Sequence, residues 1–112
     1  MLIKVNQISK TALSANDGTK LRNRICEALD TDSRVELDFS GINLYATMFF
    51  NAFVGYFIMN SQKDVIDNKI ELLNISELGE KTFRHSYDNA IYVKENNINV
   101  ETAMNESMHK EE

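Results

Sequence analysis

The chain has 112 residues, of which 43% are hydrophobic and 26% are charged, a balance typical of one globular domain with a single core. Its net charge of −5 disfavours binding to nucleic acids, which depends on many Lys and Arg side chains. The single cysteine, Cys26, excludes an internal disulfide, and no Cys and His residues have the spacing of a zinc site. We therefore expect a cytoplasmic protein that binds neither metal nor cofactor.

The sequence also argues against a membrane protein. The longest apolar stretch runs from Met48 to Met59 and is interrupted by Asn51 and Gly55. It is shorter than the roughly twenty residues that a membrane-spanning helix needs. At the N-terminus, Leu2–Val5 is soon followed by polar residues, so we expect no signal peptide.

In chain order, the first half predicts a strand, a helix and a second strand. The apolar residues of Leu2–Ile8 predict the first strand. A helix is predicted from Asp17, which can cap it. The strand Val35–Phe39 alternates apolar and acidic residues and ends at the turn Ser40–Gly41. The helix carries apolar residues at helical spacing, namely Leu21, Ile25, Ala28 and Leu29.

The second half predicts an apolar helix, a strand and a long helix. Segment Thr47–Asn60 is apolar on nearly all sides, and its length favours a covered helix over the competing strand. The run Ile70–Ile75 predicts a strand in the centre of the sheet. A last helix, capped by Asn74 or Ser76, is predicted to end near Asn96–Asn97.

Alternation of strands and helices predicts an α/β fold, with one small sheet of about three strands or more and three main helices. We assign this domain to residues 1–97. Residues 98–112 are acidic and show no clear period, so we predict a flexible acidic tail.

One block carries a family resemblance. Leu37–Gly41 reads Leu-Asp-Phe-Ser-Gly at a strand end, and a short loop then leads to an apolar helix with Asn51-Ala52 and Gly55. This block resembles a STAS-like domain of unknown function. The resemblance covers roughly residues 2 to 96, with further matching features at Asp17–Arg22 and Leu73–Glu77.

The chain is more distantly similar to the STAS domains of anti-sigma-factor antagonists, which are docking modules. Antagonists carry a loop Asp-Ser-Ser-Gly whose first serine is phosphorylated by a partner kinase, which breaks a protein complex. Ala46, Thr47, Met48 and Phe49 take those places here, so three of the four depart from the pattern. The resemblance implies a non-enzymatic regulatory module that binds another protein, such as a kinase or an ATPase-type regulator.

The candidate site lies in the loop and helix after the second strand. Thr47 is the candidate phosphorylation site, and the alternative is that its hydroxyl only caps the helix. Asp38 is either functional or an acceptor for loop N–H groups. We expect no catalytic residue. The expected partner contacts are Thr47, Ser40, Tyr45, Met48 and Phe49, and the expected structural residues are Asp38, Gly41, Asn51 and Gly55.

Three alternatives stay open at this stage. The protein could be a small enzyme or ligand-binding domain with a cleft at the strand ends, built from Asp38, Tyr45 and Thr47. It could be a structural homo-oligomer in which the apolar helix covers itself. Either stripe of that helix could face outward, and we favour the stripe with the adaptable methionines for contact. The stripes are Phe49, Phe53, Tyr56 and Phe57 on one side and Met48, Ala52, Gly55 and Met59 on the other.

Overall fold

The structure is a computed structural model that describes the backbone of residues 1–107 and the side chains of residues 1–96. Its centre is a parallel sheet of three strands in the order β1-β2-β3. They are β1 (Leu2–Lys4), β2 (Val35–Asp38) and β3 (Ile70–Leu73). The α/β prediction is confirmed. However, β3 lies at an edge and β2 in the centre, so the predicted central position of Ile70–Ile75 is wrong.

Four helices accompany the sheet within residues 1–107. They are α1 (Ala15–Leu29), the composite helix α2, a single π-helical turn α3 (Val65–Lys69) and α4 (Glu77–Ser107). Helix α2 is continuous but changes its winding along its length. It consists of α-helical Thr47–Phe50, π-helical Asn51–Gly55 and α-helical Tyr56–Met59. The helix predicted for Thr47–Asn60 is therefore confirmed.

Two boundaries in the first half differ from their predictions. Strand β1 ends at Lys4, because Val5–Gln7 forms a 3₁₀ turn, so the predicted extension to Ile8 is wrong. Helix α1 is capped by Ser14, whose Oγ accepts a hydrogen bond from the backbone N–H of Asp17 at 3.0 Å. Asp17 therefore lies in the first turn, where its charge complements the helix dipole, and does not cap the helix.

Helix α4 begins as predicted but ends later. The backbone N–H of Gly79 donates to Ser76 Oγ at 3.1 Å, which selects Ser76 from the two candidate caps. The helix then continues to Ser107, so its predicted end near Asn96–Asn97 is wrong. Residues 108–112 of the predicted tail lie outside the described part of the chain. Within residues 1–107, no helix combines the length and the apolar character needed to cross a membrane.

The helices cover one face of the sheet. Ile3, Val35 and Leu37 point to this face and are buried, whereas the neighbouring Leu2 and Glu36 are exposed on the opposite face. Since strand–helix–strand crossovers are right-handed, α1 and α2 both pack on the same side. Helix α4 then packs against α2.

The phenylalanines of α2 form the centre of the core. Phe49, Phe50, Phe53 and Phe57 are each at most 1% exposed. The ring of Phe50 meets Phe83 of α4 edge to face, with 5.7 Å between ring centroids. A helix that is apolar on nearly all sides is thus covered by α1, α4 and the sheet, as the sequence required.

Candidate functional site

The loops after the three strands are joined by hydrogen bonds at the carboxyl edge of the sheet. Asp38 Oδ1 accepts from the backbone N–H of Ser40 at 2.9 Å, from Ser40 Oγ at 2.7 Å and from Asn74 Nδ2 at 3.0 Å. Asn6, after β1, donates from Nδ2 to the carbonyl of Ser40 at 3.2 Å. These contacts support the structural interpretation of Asp38, since its carboxylate organises the loop.

The same donors fix the charge of Asp38. The Asn74 amide, followed by the side chain and backbone N–H of Ser40, lowers the pKa of Asp38 from 3.8 to about 2. The carboxylate is therefore ionised at neutral pH. It acts as a hydrogen-bond acceptor there and not as an acid.

The loop between β2 and α2 is held in place from several directions. Gly41 has a φ of +81°, a value that suits glycine and marks a tight turn. The hydroxyl of Tyr45 donates to the carbonyl of Ile42 at 2.9 Å. Ala12, just before α1, pairs with the loop through its N–H to the carbonyl of Leu44 (2.9 Å) and its carbonyl to the N–H of Ala46 (2.8 Å). The loop is therefore an ordered surface.

Exposed apolar side chains surround this loop. Leu44 and Met48 are 54% and 57% exposed, and Leu13, next to the Ala12 bridge, is 38% exposed. Leu78 is 58% exposed and precedes Gly79, which lies so close to Tyr45 that an added Cβ would be 2.5 Å from the tyrosine Cζ. We call Leu13, Leu44, Met48 and Leu78 the Tyr45 patch.

In the first turn of α2, one predicted contact residue is exposed and the next is buried. Met48 is exposed, whereas Phe49 is fully buried and packs edge to face on Phe50, 5.3 Å away. Phe49 lies one residue further along the helix than Met48, so its side chain points into the core. The expected contact between Phe49 and a partner therefore does not fit its position. Ser40 is exposed but hydrogen-bonded to Asp38.

Thr47 is half-buried and is the first residue of α2. The residue before it, Ala46, stands at the N-cap position, and no side chain of the described residues caps this end. The alternative that the Thr47 hydroxyl caps the helix is therefore wrong.

A groove lies between the second half of α2 and α4. It has a volume of about 380 Å³. Asn51, predicted to be structural, lines it and accepts through Oδ1 from the hydroxyl of the buried Ser86 on α4, at 2.5 Å. Gly55 also lines the groove, as do Tyr56, Met59, Asn60 and Asn89. Sequence reasoning missed this groove, because it connects residues more than thirty positions apart.

The winding of α2 decides which of its stripes is exposed. Met48 and Met59 both lie at the surface, whereas Phe49, Phe53 and Phe57 are buried. The two methionines of the favoured stripe are therefore exposed, although Gly55 of the same stripe is buried, and the contact of this stripe with a partner stays a prediction. Tyr56 departs from its stripe, since it is partly exposed and lies under the guanidinium of Arg22, 4.1 Å from the ring centroid.

One small parallel sheet, with helices packed on one face and an ordered loop at the carboxyl edge, defines a compact α/β class of domain. Comparison with known families then identifies the family of this domain. The family model of the STAS-like domain of unknown function (DUF4325) matches residues 17–80. The chain belongs to this family, which confirms the resemblance seen in the sequence. Neither a curated protein nor a solved structure gives a significant match.

Proposed function

We propose that the protein is a non-enzymatic regulatory module that docks onto another protein through the Tyr45 patch, as an anti-sigma-factor antagonist does. The observation that carries this proposal is that four exposed apolar side chains belong to the ordered loop, to the first turn of α2 or to the neighbours of residues that contact the loop. Contiguous apolar surface is costly in water and commonly marks a protein interface.

The patch has the properties of a docking surface. Three leucines and a methionine supply apolar area, and Met48 can adapt to the shape of a partner. The backbone beneath them is fixed by the Ala12 bridge and by the Tyr45 hydroxyl, so binding would order few additional groups. Preorganised surfaces bind more tightly because they lose less conformational entropy.

Thr47 directly precedes Met48, which belongs to the patch. This position suggests how docking is controlled. Phosphorylation by a partner kinase would add about −1.5 to −2 charges beside apolar contacts. In a complex this charge would be desolvated, which opposes binding. A kinase or an ATPase-type regulator is therefore the expected kind of partner.

Single lysine substitutions test the docking surface. Immobilised wild-type chain captures binding proteins from an extract of its own host; each candidate is identified by mass spectrometry, purified, and titrated by calorimetry. Leu44→Lys and Leu78→Lys should weaken binding of the same purified partner by about tenfold or more, because each places a charge in the patch. Leu2→Lys is the matched control, since Leu2 is 47% exposed on the sheet face opposite the helices.

Folding and regulation are checked in parallel. The lysine variants should keep the wild-type melting temperature, since Leu2, Leu44 and Leu78 are exposed. Thr47 is half-buried, so the folding of its two variants is checked by circular dichroism before binding is compared. Thr47→Glu should weaken the partner complex, and Thr47→Val, which keeps the shape without charge, should not. If the patch variants and Leu2→Lys bind the partner equally well, the docking surface is wrongly placed.

The other two interpretations are separated from docking by simple measurements. Asp38 and the hydroxyl of Tyr45 are both engaged in hydrogen bonds within the loop, which does not favour a reactive cleft at the strand ends. A thermal-shift screen with metabolites would detect a ligand-binding domain. Light scattering over a range of concentrations would detect a homo-oligomer, and Leu44→Lys would then abolish the larger species if the Tyr45 patch joins two copies.

A further inference from the structure

We propose that the groove between α2 and α4 is a second site, which binds a small uncharged molecule with an apolar body and an amide group. The site is independent of the proposed docking function. It lies along the second half of α2, whereas Met48 of the Tyr45 patch lies in the first turn.

Gly55 is the first reason. It sits inside a helix with φ −60° and ψ −40°, a conformation open to every L-residue. A Cβ added there would meet nothing closer than Asn51 Cβ at 3.9 Å, so packing does not require a glycine either. Glycine inside a helix is less stable than alanine. Its effect in this position is to leave the wall of the groove without a side chain, as in sites where the backbone approaches a ligand.

The winding of the wall is the second reason. The five residues from Asn51 to Gly55 form a π-helical segment, which is rare and occurs frequently at functional sites. This segment places Asn51 at the groove and Gly55 one wide turn later, also at the groove. The hydrogen bond from the buried Ser86 holds the Asn51 amide in one orientation.

The hydrogen-bonding groups of the groove are complementary to an amide. The oxygen of Asn51 accepts from Ser86, so its Nδ2 is the group of this amide left to donate to a ligand. The Nδ2 of Asn60 donates to the carbonyl of Tyr56 at 2.7 Å, so its oxygen is the group left to accept. Asn89 adds a third amide from α4. A ligand with both a donor and an acceptor fits this arrangement.

The lining also defines the charge and size of the ligand. None of the described residues that line the groove is Asp, Glu, Lys or Arg, so a charged ligand would lose hydration without gaining an ion partner among them. Tyr56, Met59 and Val93 provide the apolar surface. The volume of about 380 Å³ lies within the range of small-molecule pockets.

The test uses three probes of one shape: neutral benzamide, anionic benzoate and cationic benzamidine. Each is titrated into the full chain while amide signals are followed by NMR. Benzamide should shift the signals of Gly55, Tyr56 and Asn89 along a saturating curve, and the charged probes should bind at least about fivefold more weakly. Gly55→Leu, which fills the groove, should abolish the benzamide shifts.

A second variant tests the site in case Gly55→Leu does not fold. Asn89→Leu changes an exposed residue of α4 and should weaken benzamide binding, whereas Asn96→Leu is the same change on the same helix outside the groove and should not. Leu44→Lys should bind benzamide like the wild type, which separates this site from the Tyr45 patch.

Three results would overturn the site. The first is equal binding of all three probes. The second is benzamide shifts that persist in both Gly55→Leu and Asn89→Leu. The third is that benzamide does not bind to the wild type, whereas Gly55→Leu disrupts binding of a purified protein partner. The groove would then be a protein interface.

Discussion

Gly18 of α1 and Gly55 of α2 show that α2 packs differently against α1 and against α4. At Gly18, where α1 crosses α2, an added Cβ would lie 2.2 Å from the carbonyl oxygen of Phe49 and 2.8 Å from Ala52 Cβ. At Gly55, on the side of α2 that faces α4, an added Cβ would meet nothing closer than 3.9 Å. The first glycine lets two backbones touch, and the second leaves a space between two helices.

This difference assigns different roles to the two sides of α2. The α1 side is close-packed, and volume added there forces either the helices or the side chains to move. The α4 side is also packed, through contacts that include the Ser86–Asn51 hydrogen bond and the Phe50–Phe83 ring pair, but it leaves a groove beside Gly55. The close side therefore tolerates no added volume, whereas the space at Gly55 is the feature on which the proposed groove site rests.

The largest expected effect is that of Gly18→Ala. An alanine would normally stabilise a helix, but here its methyl group overlaps the backbone of α2, which cannot move aside as a flexible side chain would. We expect the free energy of unfolding to fall by about 1–3 kcal/mol, as for other overpacked cores. Urea unfolding followed by circular dichroism measures this change.

Asn23→Ala is the control for that prediction, because Asn23 is an exposed residue of the same helix. It should leave the free energy of unfolding nearly unchanged or raise it slightly. If Gly18→Ala proves as stable as Asn23→Ala, then α1 and α2 do not approach as closely as described here.

The second prediction has the opposite sign. Gly55→Ala adds a methyl group without a clash and improves helix propensity, so the free energy of unfolding should rise by up to about 1 kcal/mol. The same unfolding experiment applies. A loss of stability would show that α4 packs onto Gly55 and that the groove is closed in solution, which would remove the contrast between the two sides.

Local patterns in the sequence were sufficient to predict the three strands, the three main helices and the family, but not all of their bounds nor the short helix α3. The alternation in Val35–Phe39 predicts a half-buried strand, and the apolar density and length of Thr47–Asn60 favour a covered helix over a strand. The motif from Leu37 to Gly55 led to the family that the comparison confirms. Each of these signals lies within about twenty neighbouring residues.

Features formed by distant residues could not be predicted in this way. The Tyr45 patch needs the bridge between Ala12 and Tyr45, which joins residues far apart in sequence. Whether a glycine is required, as at Gly18, or leaves space, as at Gly55, depends on which atoms of another helix lie opposite. Neither property has a local signal.

The end of α4 was misjudged for a different reason. Its polar residues near Asn97 weaken the apolar period, which suggested a stop. However, the sequence contains no proline, and Gly79 is its last glycine, so neither of the strong helix breakers occurs near that point. Loss of amphipathic pattern ends the packing of a helix, but it does not by itself end the helix.

The smallest expected effect concerns the carboxyl edge of the sheet, where contacts are exposed. Because hydrogen bonds from Asn74 and Ser40 lower the pKa of Asp38 from 3.8 to about 2 in the folded state, the ionised form stabilises the fold. This contribution is fully present above about pH 4 and is lost as the pH falls to about 2. The difference in stability between wild type and Asp38→Asn should therefore be constant near neutral pH and should narrow between pH 4 and 2.

Asn74→Gly sharpens this last test. Asn74 has a φ of +56°, which glycine tolerates, so the variant removes the side-chain donor without adding backbone strain. Since the Asn74 amide is the largest cause of the lowered pKa, the Asp38 carboxyl titration followed by NMR should move from about 2 towards 3.8. An unchanged titration would mean that the loops after β2 and β3 are not joined through Asp38. The loops at the carboxyl edge would then be mobile, and they would not hold the side chains of the Tyr45 patch in place.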